Sequence, residues 1–137
     1  MRMGTIAERL RATCPSLRQV VPAASGAVPA QYPAAYVFAL AERADPNPLA
    51  TGGHEQRIHV TLAVEIMVRH AQEAASGGPA AETLEDVREE AHAALAGFPP
   101  APEARPLDFV EGRMMGFEAG LVTWRDTWTT EFYRRQT

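Results

Sequence analysis

Four histidines and one cysteine are the side chains here best able to bind a metal or act as a nucleophile. His54 and His59 lie five positions apart on or beside an alternating segment, so they point to opposite faces. His70 ends that segment, and His92 sits in a helical pattern between Glu89, Glu90 and a run of alanines. None has an H-x-x-x-H partner or a nearby cysteine pair, the spacings that let zinc ligands converge. Each therefore reads as structural or solvated. Cys14 has neither a C-x-x-C motif nor a base supplied by spacing; at the end of a short helix it reads as a packed small hydrophobe. Gly52-Gly53 lacks the Lys-Ser/Thr of a phosphate loop. Gly112, Gly116 and Gly120 repeat at G-x-x-x-G spacing, but Arg113 and Glu118 between them exclude a membrane helix, leaving bulges or close approach within a hairpin. Glu82, Glu85, Asp86, Glu89 and Glu90 read as the solvated face of a helix, since a cation site needs convergent oxygens. The expectation is no catalytic residue, no metal ligand and no cofactor.

The elements that carry these residues are better marked than any site. From Glu55 to His70, every even position from Ile58 to Val68 is apolar (Ile58, Val60, Leu62, Val64, Ile66, Val68). Most odd positions between them are polar, which is the period of a strand with one dry face. At about 3.3 Å per residue it would span roughly 50 Å, well beyond a usual strand. Ala34–Arg43, with bulk alternating at Tyr36, Phe38 and Leu40, predicts a second strand. Between the two, Pro46, Pro48 and Gly52-Gly53 forbid regular structure, so the pair forms a hairpin around 35–70 with a long, stiffened tip.

Thr5-Ile6-Ala7-Glu8 has the form of a capping box, predicting a helix over Ile6–Thr13 that Pro15 stops. Leu17–Val21 reads as a short strand closed by Pro22, Ala23–Pro33 as loop, and Ala71–Pro79 as a flexible connection. Pro79–Ala96 reads as a helix with Leu84, Val87, Ala91, Ala94 and Leu95 on one stripe and Gly97 at its C′ position. Leu107–Glu118 and Leu121–Arg134 read as strands joined at Ala119-Gly120. With a two-residue turn, partner numbers sum to 239, so Phe117 faces Val122, Met115 faces Trp124, Leu107 faces Phe132 and Arg113 faces Asp126. That register sets an Arg–Asp pair on an apolar face holding Trp124 and Trp128, with Tyr133 at its rim.

The fold class is thus α+β: a mainly antiparallel sheet of four or more strands, one long helix packed on it, and a short N-terminal helix at the periphery or in a subunit contact. A chain of 137 residues with 46% apolar and 22% charged residues fits one soluble domain spanning 1–137. A net charge of −4, no lysine and scattered arginines argue against nucleic-acid binding as its main task. No apolar run reaches the length of a membrane span, and MRMGTIAERLRA becomes charged too early for a secretory signal. A lone Cys14 excludes an internal disulfide and suits a reducing cytoplasm.

Three blocks in their order carry a family resemblance: IAERLRATCPSLRQV, AYVFALAERADPNPLATGGHEQRIHVTLAVEI and PLDFVEGRMMGFEAGLVTWRDTWTTEFYRR. Together they resemble the tail terminator proteins of long-tailed bacteriophages and related tail-like particles. The resemblance implies a structural virion protein at the head-proximal end of the tail, assembled in the host cytoplasm, without catalysis or cofactor. It implies a homo-oligomeric ring, usually a hexamer, that caps the tail tube, ends its polymerisation and presents a surface to the head-side connector. Its partners would be itself, the tail tube protein and the connector, with DNA passing the lumen without specific binding and no membrane. Subunit or tube contacts are expected at Asp45, Pro46, Asn47, Pro48, Leu49, Thr51, Gly52, Gly53, His54 and Arg57, because a preordered loop loses little entropy on docking. The plain alternative is an ordinary surface connection. At the level of function the rivals are a monomeric α+β binding module and another head–tail joining or minor tail protein.

Overall fold

The computed structural model describes residues 1–22, 28–69 and 79–136. Its elements are α1 (Met3–Thr13), β1 (Gln19–Pro22), β2 (Ala34–Ala44), β3 (His54–Arg69), α2 (Pro79–Leu95), β4 (Asp108–Glu118) and β5 (Leu121–Gln136). The five strands form one sheet in the order β1-β2-β3-β5-β4. Only β1 and β2 run parallel; the other neighbours are antiparallel. The architecture is α+β, as expected.

β3 is the axis of the sheet. It pairs with β5 without interruption from His54–Gln136 to Arg69–Leu121. All six even apolar residues are buried, and the two odd exceptions, Ala63 and Met67, are buried as well. The strand is therefore dry on both faces over its second half, where one helix layer and one aromatic–charge layer cover it. On the helix side, Ala35 and Val37 of β2 join Leu62, Val64, Ile66 and Val68 in the core. The bulkier Tyr36 and Phe38 lie on the reverse face and Leu40 sits at a bulge, so the alternation in β2 marks a strand but its small residues face the core. Phe38 stacks there under Arg125, which also bonds Glu65 at 2.6 Å.

The helix layer differs from the expected single long helix with a peripheral partner. α2 has 17 residues and α1 has 11, and both enter the same core. Ile6, Ala7 and Leu10 are fully buried, because α1 covers β1 and β2 while α2 covers β3. Arg9 ties the helices together through Ala94 O at 3.0 Å, and Glu90 accepts from the Ser16 backbone N–H at 2.9 Å. Glu90 thus ties α2 to the segment that follows α1, while Glu82, Glu85, Asp86 and Glu89 form the exposed face. α1 begins earlier than expected, at Met3, with Arg2 as N-cap and no side-chain cap, so Thr5 and Glu8 make no capping box. Once Met3 can pack on the core, the helix gains a turn's contacts upstream of Thr5, which outweigh a cap.

β4 starts one residue later than expected, and Ala119-Gly120 makes the turn with φ of 50° and 75°, the left-handed pair of a type I′ hairpin. The register summing to 239 holds for Glu118–Leu121, Phe117–Val122 and Gly116–Thr123. A bulge then shifts Met114 opposite Trp124, Arg113 opposite Arg125 and Gly112 opposite Asp126; a second sets Phe109 opposite Trp128. The predicted Met115–Trp124, Leu107–Phe132 and Arg113–Asp126 pairs do not form. Bulges twist an edge strand, and nothing but the turn fixes register there. Residues 71–78 of the expected connection and 23–27 of the expected Ala23–Pro33 loop, with His70, lie outside the described residues.

Candidate assembly surface

Among the described residues, two polar clusters and one apolar ledge stand out beyond the core. The first cluster closes the base of the hairpin tip. Asp45 continues the ladder, donating its backbone N–H to Arg57 O at 2.9 Å. Its carboxylate accepts from Arg43 and from His59 Nε2, both at 3.0 Å. The other His59 nitrogen faces Glu131 at 3.3 Å, and Glu131 in turn meets Arg105 at 3.4 Å. The hydrogen bond from His59, with Arg43 beside it, holds the Asp45 carboxyl below the usual carboxylate range. Above this base, Asn47 Oδ1 accepts from the backbone N–H of Leu49 and of Glu55, and Gln56 donates to Asp45 O. Gly52 and Gly53 supply left-handed backbone at 59° and 69° that a side chain would strain.

The tip is therefore hydrogen-bonded to itself and its polar and apolar side chains face outward. Pro46, Pro48, Leu49, Thr51, Gly52, Gly53 and Arg57 are exposed; Asp45, Asn47 and His54 are half-buried because they hold the loop. The ten residues singled out in the sequence thus gather on one projecting feature. Arg57 donates to the Tyr133 hydroxyl at 2.6 Å, a contact that stabilises its charge.

The second cluster lies beneath α2; Asp126 was expected on this face in a pair with Arg113, and its partners Arg88 and His92 were missed in the sequence. Asp126 is 1% exposed and accepts from Arg88, from His92 Nε2 at 3.1 Å and from Trp124 Nε1 at 2.8 Å. Arg88 also lies over the Trp124 ring, and His92 packs against Phe109 and Trp128. Arg88 and His92 are one helical turn apart on one face of α2, which is the signal that could have found them. The arrangement fixes α2 to β5, and the partly exposed Arg88 and His92 also line a cavity of about 300 Å³ with Glu85 and Glu89. Among the described residues no three His, Cys, Asp or Glu side chains converge as metal ligands. Cys14 is buried, and burial pushes its thiol pKa up, away from nucleophilic thiolate.

The ledge is β4. Phe109, Val110, Met114, Met115 and Phe117 are each between 42% and 54% exposed, on a strand whose outer edge has no neighbour among the described residues.

Against this geometry the comparisons are direct. The family model described as phage tail terminator protein matches residues 1–137. The chain belongs to the phage tail terminator family. It is a structural protein of a phage-like tail and so a virion component. No curated protein matches it in sequence. Among solved structures, a chain of the virion of a native gene transfer agent particle has the same fold, with a TM-score of 0.64 at 14% identity, covering 96% of this chain and 94% of that one. No helix among the described residues is long and apolar enough to cross a membrane.

Proposed function

We propose that this tail terminator caps the tail tube as a closed homo-oligomeric ring, a hexamer, ending tube polymerisation and offering its free face to the head-side connector. Membership of the family over residues 1–137 carries the reading. The projecting tip supports it, since Asp45–Gly53 is held by its own hydrogen bonds before any partner arrives and docks with little further ordering cost. The role needs no catalysis, and the buried Asp126 cluster serves the fold. The acidic net charge of −4 suits a ring through which DNA slides without sticking.

Light scattering over a concentration series, with and without preformed tail tubes, tests this, together with negative-stain images. A closed ring, and tubes whose growth stops when the protein is added, is the expected result. A protein that stays monomeric with tubes present and leaves their growth unchanged overturns it in favour of a monomeric binding module. Deleting Asp45–Gly52 tests the tip separately: the expected result is a folded protein that no longer forms the ring, and an unchanged ring removes the tip from the interface.

A further inference from the structure

The helix layer covers β1, β2 and β3 and reaches β4 through side chains of α2, His92 on Phe109 and Arg88 beside Gly112. Residues paired across antiparallel strands share a face, so Phe109, Met114 and Phe117, opposite Trp128, Trp124 and Val122, extend the core face of the sheet beyond the helices. Val110 and Met115 fall at the two bulges. Together these five present roughly 400 Å² of apolar surface, about the largest patch that a monomer ordinarily leaves open and half of what one partner contributes to a standard interface.

The surroundings of the ledge are net acidic. Asp108, Glu111 and Glu118 lie on the reverse face of β4 with a single Arg113, and Glu85 and Glu89 are exposed on α2; among the described residues none of these five acids has an ion-pair partner. On the opposite edge strand Arg11 donates through two nitrogens to Val20 O and α1 packs against β1. An apolar occupant with basic flanks complements this surface.

The hairpin arm meets that description. Beyond the end of β4, residues 54–60 of β3 and 130–136 of β5 continue for roughly 20 Å, lined at first by the 98–107 segment through Arg105 and Glu131. At its end stand Pro46, Pro48 and the 44% exposed Leu49. Arg134 on the same arm is exposed and in no ion pair among the described residues, and Arg57, stacked on Tyr133, is exposed with Glu131 and Asp45 in its field. Ledge and arm are different parts of one surface, so their union is heterologous and closes into a ring when the rotation permits. We propose that the β4 ledge of each copy receives the Leu49 tip of the next. The proposal rests on the ring reading above and names its contact.

Cysteine cross-linking tests it, with the native Cys14 silent because it is buried. Leu49→Cys is mixed with Met114→Cys, Met115→Cys or Phe117→Cys in turn and treated with a short bismaleimide, alone and with tail tubes. A covalent dimer from a mixed pair is expected, and a ladder ending at the ring size from the Leu49→Cys, Met114→Cys chain. A ring seen by mass with no cross-link in any pair overturns the contact and leaves the ring reading standing. Dimers from the ledge variants alone overturn it in favour of two-fold pairing of ledges, and capture of the tube protein by Leu49→Cys alone overturns it in favour of a tube contact. No ring and no cross-link on tail tubes removes both.

Discussion

Asp126 shows how one buried charge organises its surroundings. Its carboxylate answers Arg88, His92 and Trp124 at once, and the strand beside it must leave room: a Cβ on Gly112 would lie 2.7 Å from Asp126 Oδ1 and 2.9 Å from Arg88 Nη2. Asp126→Asn keeps the volume and removes the charge, stranding a partly buried guanidinium; it is expected to cost ~3 kcal/mol in urea unfolding followed by tryptophan fluorescence. Gly112→Ala is expected to cost ~1–3 kcal/mol through overpacking of the same atoms. Because the two changes act on one cluster, the double variant should lose less than their sum. Additive losses would show that Gly112 serves the strand alone. The sequence already placed Asp126 on an apolar face in need of a cation. It named Arg113 because register was extrapolated from the turn, whereas the bulges turn Arg113 to the reverse face and the cation comes from a helix brought there by tertiary packing.

The hairpin elements were largely legible because period, proline and glycine act locally. β2, β3 and the tip between them follow from alternation and punctuation. What remained hidden was which face of β2 is buried, since Ala35 and Val37 carry less bulk than Tyr36 and Phe38 and only the helices above decide. The tip's own hold is pH-dependent in a known direction. A carboxyl whose folded pKa lies below its ordinary value of 3.8 contributes stability that is complete above that value and fades as pH falls through the folded one. Hydrogen-exchange protection at Leu49 and Glu55, relative to the centre of β3, is therefore expected to fall below about pH 4. Asp45→Asn should lower it at neutral pH and flatten the dependence; protection unchanged by that variant would assign the hold to Asn47 alone. The other hairpin carries strain that can be relieved. Ala119 has a Cβ at φ 50°, so Ala119→Asn, which tolerates this region and gives the favoured Asn-Gly turn, is expected to stabilise by ~0.5–1 kcal/mol in the same urea assay.

For the molecule as a whole, the decisive fact is that α1 is not peripheral. Its Ile6 and Leu10 share one cluster with Leu95 of α2 and Trp128 of β5, and polar ties through Arg9 and Ser16 cross the same seam. Removing either helix would expose apolar surface of both the other helix and the sheet, so neither has a stable state of its own. Unfolding should therefore be one transition. Far-UV circular dichroism reports both helices, while fluorescence reports Trp124 and Trp128 beside α2 and β5; the two signals are expected to share one urea midpoint. Ile6→Ala should move both midpoints together by the equivalent of ~2–4 kcal/mol. Separate midpoints, or a change seen by dichroism alone, would make α1 an independently fraying element. The distinction bears on assembly. If the whole core unfolds as a unit, the β4 ledge and the hairpin tip stay in fixed relation through the rigid β3–β5 pair, and a contact made at one end of a subunit sets the position of the surface at the other. A ring built from such units closes with a defined number of copies.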